Sequence, residues 1–142
     1  MGRLMAIDYG ARRTGIAVTD PARIIANGLV TVETKNLWDF LTNYVSSEAV
    51  DKIVIGMPVQ MSGQPSDNQR NITPFVNRWR KNYPNIPIEP FDERFTSVMA
   101  HRTMIESGIG KKARRNKALV DEISATIILQ SYMESIFYDK TT

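Results

Sequence analysis

The sequence contains no cysteine and a single histidine, His101. The first absence excludes a disulfide framework, a thiolate zinc site, an iron–sulfur cluster and a cysteine nucleophile. The second excludes a multi-histidine metal cage within one chain. Any metal must then be held by oxygen, which selects magnesium or manganese. No segment approaches the ~18 consecutive apolar residues of a membrane span. The apolar patch of MGRLMAIDYG is interrupted by Asp8 too soon for a secretory signal. Met1-Gly2 lacks the hydroxyl residue that a myristoylation signal wants at position 6, where Ala6 stands. These absences predict a cytoplasmic protein that does not engage membranes.

What is present is ordinary for a soluble domain. The chain has 142 residues, 42% hydrophobic and 23% charged. A domain of ~150 residues buries roughly 68–70% of its unfolded surface, so a core forms without staples. The net charge is only +3, but it is unevenly placed. Lys111, Lys112, Arg114, Arg115 and Lys117 form a run without acids, opened by Gly108 and Gly110. Without those five the chain stands at −2. Such a run is either a solvated loop or a clamp on phosphates. Its contrast with the rest of the chain favours the clamp. Arg78, Arg80 and Lys81 make a second, weaker cluster.

Hydrophobic periodicity predicts the order β-β-β-α-β-α-β-α-α. Arg3 to Tyr9 alternates as a strand, with Leu4, Ala6 and Asp8 on one face. Gly10 to Gly15 is a basic turn, and residues 15–19 return as a second strand. Asp20-Pro21 breaks it, and residues 29–33 form a third. Residues 36–50 have helical spacing, and KIVIG at 52–56 is a short buried strand. Residues 57–69 form a loop, followed by a helix from about Asp67 to Asn82. Ile86 to Phe91 is a fifth strand. Thr96 to Ser107 is helical, as is Lys117 to Phe137. The three antiparallel strands followed by βα crossovers predict a mixed sheet with helices packed on it, an α/β domain.

Three acids stand out. Asp8 shares a strand face with Leu4 and Ala6, where a carboxylate must be paired or coordinate a metal. Asp92-Glu93-Arg94 follows a strand, where function gathers in α/β sheets. Asp121 heads a helical stripe with Ala125, Ile128 and Tyr132. Each has a plainer reading: a turn acid, a salt-bridge cluster and a carboxylate favoured by a helix dipole. If all three converge, they form a hard oxygen site suited to two divalent ions and to attack on a phosphodiester. No Ser/His/Asp or Cys/His set competes. His101 reads as a surface or packing residue.

Four blocks in this order resemble the YqgF/RuvX family. They are Asp8-Tyr9-Gly10-Ala11-Arg12-Arg13-Thr14-Gly15-Ile16-Ala17, Ile55-Gly56-Met57-Pro58 with Met61-Ser62-Gly63, Asp92-Glu93-Arg94-Phe95-Thr96, and Asp121-Glu122-Ile123-Ser124-Ala125 running into Ile128-Leu129-Gln130-Ser131-Tyr132. The resemblance implies one ribonuclease H-like nuclease domain over residues 1–142, its five-stranded mixed sheet opening with three antiparallel strands. It implies a hydrolase acting on phosphodiester bonds, with Asp8, Glu93 and Asp121 as catalytic and metal-binding residues. Two Mg²⁺ or Mn²⁺ ions are expected, Asp8 contacting both. Arg13 and Arg94 are expected to hold the scissile phosphate or orient the acids, while Lys111, Lys112, Arg114, Arg115 and Lys117 clamp the strand.

The implied task is maturation of the 5′ end of the small-subunit ribosomal RNA precursor. Resolution of Holliday junctions in branched DNA is the alternative. Ser124 weighs against it, because RuvC-type resolvases resemble this chain but carry a further acid there. Ser97, where a second threonine is common, is a smaller departure. A non-catalytic RNA-binding assembly factor is a further alternative, and a monomer or weak homodimer is expected. An actin-like ATPase, suggested by Asp8-x-Gly10, would need a second such domain.

Overall fold

The structure is a computed structural model describing residues 2–23, 25–58, 69–93 and 117–141, with side chains described for 121–136 of the last stretch. Five strands form one sheet: β1 (Arg3–Asp8), β2 (Arg13–Thr19), β3 (Ala26–Glu33), β4 (Val50–Met57) and β5 (Ile88–Asp92). Among the described residues three α-helices accompany them, α1 (Leu37–Ser47), α2 (Gln69–Asn82) and α3 (Lys117–Thr141), with a 3-10 turn at Thr34–Asn36 before α1. The strand order is β3-β2-β1-β4-β5. The β1–β2 and β2–β3 pairs are antiparallel, and β1–β4 and β4–β5 are parallel. This is the expected mixed sheet.

β1 lies at the centre, so both its faces are covered and Leu4 to Ile7 are all buried. Period-2 alternation divides them between two cores. Met5 and Ile7 face α1 and α2, packing with Ile16, Ile53, Ile55, Leu41, Ile72 and Trp79. Leu4 and Ala6 face α3, packing with Ala17, Val54, Ala125, Ile128, Leu129 and Tyr132. Fully burying one such aliphatic side chain contributes roughly 1.5–3 kcal/mol. Trp79 is fully buried, and its indole N–H donates to the Ile86 carbonyl at 3.0 Å.

The boundaries differ from expectation in several places: β1 ends one residue early at Asp8, and β2 begins at Arg13 inside the expected turn. β3 begins at Ala26, because this edge strand exposes Asn27, Gly28 and Leu29 and shows no alternation there. Val50 begins β4 instead of ending α1. Ser46 and Ser47 donate to carbonyls of the last turn of α1, and Glu48 turns extended. Such local hydroxyl bonds compete with continued helix. β5 starts two residues late and contains Pro90, which an edge strand tolerates. α3 runs four residues further than the periodicity indicates, to Thr141. The helix expected at 96–107 and the basic run up to Arg115 lie outside the described residues.

Candidate active site

Parallel strands β1, β4 and β5 place their C-terminal ends on one edge of the sheet. Asp8 ends β1, and Glu93 directly follows β5. By the strand's alternation Asp8 shares the α3 face with Leu4 and Ala6. Asp121 lies in the second turn of α3, the helix covering that face.

Two glycines allow these acids to meet. Between Asp8 and Glu93 runs β4, whose Gly56 opposes Phe91. A Cβ on Gly56 would stand 2.8 Å from Glu93 Oε1 and 2.6 Å from Ile128 Cδ1. Without it, the Glu93 side chain lies over β4 and hydrogen-bonds Asp8. Gly15 is the cross-strand partner of Asp8 on β2. A Cβ there would collide with the backbone carbonyl of Asp121. α3 therefore rests directly on β2, which brings Asp121 beside Asp8.

The electrostatics follow from this crowding. Burial is the main force pushing the Asp8 carboxyl up to about 7, reinforced by the charges of Glu93 and Asp121 and by the hydrogen bond to Glu93. Burial also raises Glu93, with the charge of Asp92 adding and the bond to Asp8 opposing. Below about pH 7 the pair therefore favours a protonated Asp8 hydrogen-bonded to Glu93. Arg13 Nε donates to Asp121 Oδ2 at 3.0 Å, so the third acid is neutralised by a guanidinium.

The donor set suits a hard cation. Two half-buried carboxyl groups in contact hold their protons more tightly than usual, and a divalent ion would supply the missing positive charge. Asp8 and Glu93 supply oxygens directly. Asp121 is turned to Arg13, and among the described residues no three acidic or histidine side chains close into an ion cage.

A family model, RuvX, described as Holliday junction resolvase, matches residues 2–135. The chain belongs to the RuvX family. A relative of this RuvX chain in Bacteroides fragilis is 62% identical over 135 residues, covering 95% of this chain and 98% of the relative. One in Phocaeicola vulgatus is 62% identical over 138 residues, covering 97% and 99%. Both bear the name "Putative pre-16S rRNA nuclease". Among solved structures, fowlpox virus resolvase with its substrate Holliday junction DNA has a TM-score of 0.60 at 14% identity, covering 94% of this chain and 98% of that one. That likeness is one of fold, and the fold is ribonuclease H-like.

Of the residues singled out in the RuvX sequence, Asp8 and Glu93 touch and Asp121 stands beside them. Arg13 binds an acid. Arg94, Lys111, Lys112, Arg114 and Arg115 lie outside the described residues, as does His101, and Lys117 opens α3. Sequence reasoning assigned no role to Gly15 and Gly56. The available signal was a glycine inside each strand, a common mark of close approach.

Proposed function

We propose that this chain is a metal-dependent nuclease that hydrolyses phosphodiester bonds in processing the 5′ end of pre-16S ribosomal RNA. The reading treats residues 1–142 as one nuclease domain working in the cytoplasm as a monomer or weak homodimer. The observation that carries it is the contact of two half-buried carboxyl groups, Asp8 and Glu93, with Asp121 alongside. The names of the close relatives supply the substrate.

Asp8, Glu93 and Asp121 would hold Mg²⁺ or Mn²⁺, expected as two ions. Ions held there would supply activation of a water and stabilisation of the leaving oxygen. The chain's own contribution is placement. The sheet edge fixes Asp8, Gly56 gives Glu93 its path, and Arg13 orients Asp121. Arg94 is assigned to the scissile phosphate. Lys111, Lys112, Arg114, Arg115 and Lys117 are assigned to the strand's backbone, giving affinity without sequence choice.

The family description and the resolvase fold favour a second reading, cleavage of four-way DNA junctions. Against it, Ser124 stands one turn beyond Asp121, where the expected fourth acid of a RuvC-type site would lie. The deciding assay incubates the protein and its Asp8→Asn variant with Mg²⁺ and either a 5′-extended ribosomal RNA precursor or a four-way DNA junction. Cleavage of the RNA, lost in the variant, is expected. Paired symmetric nicks in the junction alone would replace the first reading by the second. Binding of RNA without Asp8-dependent cleavage of either would make the chain an assembly factor.

A further inference from the structure

Asp8 faces α3, but the next residue, Tyr9, packs with the core on the other side of the sheet. There it borders a groove of about 270 Å³ walled also by Thr34, Lys35, Trp38, Phe75 and Arg78. The volume is below the roughly 300–1,000 Å³ of sites for drug-sized ligands, so it suits one ring system. Its walls are aromatic. Tyr9 and Phe75 have ring centroids 5.7 Å apart, and Trp38 meets Phe75 edge-on at 6.2 Å. All three are half-buried, sharing the core on one side and reaching the groove on the other. Its rim carries two cations: the Arg78 guanidinium lies 3.8 Å from the Trp38 ring centroid, and exposed Lys35 pairs with exposed Glu33 at 3.2 Å, a contact that a phosphate can replace.

One turn connects this groove to the acids. Thr34 Oγ1 donates to the Gly10 carbonyl at 2.6 Å, and the Thr34 N–H donates to the Arg12 carbonyl at 2.9 Å. The next residue, Arg13, holds Asp121. The turn between β1 and β2 is thus tied to the groove wall at one end and to the acid site at the other. Exposed Arg12 stands between them.

We propose that this groove takes an unpaired nucleobase of the substrate strand, stacked against Tyr9, Trp38 and Phe75, while Arg12, Lys35 and Arg78 meet the neighbouring phosphates. The inference rests on the nuclease reading and narrows its substrate to a strand with unpaired nucleotides beside the cleaved bond. Aromatic faces accept any base, and cations along the path follow the backbone.

The test uses full-length Asp8→Asn protein, so that binding is read without cleavage. The probes are a short unstructured RNA, one of its uridines replaced by the photoreactive 5-iodouridine, and a blunt RNA duplex of the same length. Crosslinks mapped by mass spectrometry are expected at Tyr9, Trp38 or Phe75. Adding Lys35→Glu with Arg78→Glu should weaken the unstructured RNA about tenfold or more, with a smaller effect on the duplex. Phe75→Leu, which keeps apolar volume, should weaken the unstructured RNA alone. Crosslinks confined to other surfaces, or unchanged affinity in both variants, would overturn the proposal. Groove crosslinks from a protein whose wild type cleaves no RNA or DNA would leave the groove standing and remove the nuclease reading.

Discussion

A carboxyl pushed up to about 7 makes Asp8 a measurable reporter of its own site. Its ordinary value is 3.8, so the folded protein without metal holds a proton that the unfolded chain releases. Stability from this group is full below that ordinary value and is lost as pH rises through the folded one. Glu93, also raised, acts in the same direction. Asp51, lowered chiefly by the Gly2 N–H, titrates at more acid pH and leaves this window alone. The metal-free protein should therefore melt higher at about pH 5 than at about pH 8. Mg²⁺ should raise Tm more at the alkaline end, where protons no longer compete for the same oxygens. Differential scanning calorimetry checks both, and a melting temperature flat across that range would refute the protonated Asp8. Asp8→Asn should abolish cleavage yet raise the metal-free Tm at about pH 8 by a few degrees, because a neutral amide suits the burial. Asp8 was legible in the sequence, since a carboxylate on a buried strand face demands a partner. The identity of that partner was less legible. Asp92 and Glu93 are adjacent, and which turns inward depends on β5 ending at Asp92 and on the free path over Gly56.

At the scale of elements, the site depends on how closely α3 and the Glu93 side chain approach the sheet. Gly15→Ala would drive a Cβ into the Asp121 backbone, which cannot swing aside as a side chain can. Gly56→Ala meets the ends of Ile128 and Glu93, both of which can rotate. Overpacking costs typically 1–3 kcal/mol, so Gly15→Ala should fall at or above the top of that range and Gly56→Ala nearer the bottom. Urea denaturation ranks the two, and equal midpoints would contradict the direct seating of α3 on β2. Gly56→Ala should nevertheless lose most activity, because the displaced group is Glu93 itself. The strands and helices beneath this arrangement were largely readable from periodicity. β1, β2, β4 and α3 carry strong alternating or helical patterns with buried apolar faces. β3 was read three residues short because an edge strand with an exposed Asn-Gly-Leu segment lacks that pattern. The contact distances set by the two glycines are tertiary facts, and no local period encodes them.

Over the whole molecule, the excess of positive charge is confined to one short run. The chain outside residues 111–117 carries −2, and its site edge concentrates acids, so electrostatic attraction for a polyanion must come from a few places. Lys111, Lys112, Arg114, Arg115 and Lys117 supply five cations in seven residues. If each neutralises one phosphate of a single strand, these five should contribute about −3 to −4 to the slope of the logarithm of affinity against the logarithm of salt, in addition to whatever Arg12, Lys35 and Arg78 contribute. Replacing all five by alanine should remove that contribution, with circular dichroism and Tm of the unliganded protein as the control on folding. Fluorescence anisotropy of a labelled RNA, titrated with KCl in the Asp8→Asn background, measures the slope directly. A slope unchanged in the alanine variant would leave Arg12, Lys35 and Arg78 as the phosphate contacts. Because a clamp and a carboxylate site act on the same strand by opposite charge, the two should also be separable. The alanine variant should raise KM steeply and leave residual cleavage that is less sensitive to salt, whereas Asp8→Asn should bind normally and not cut.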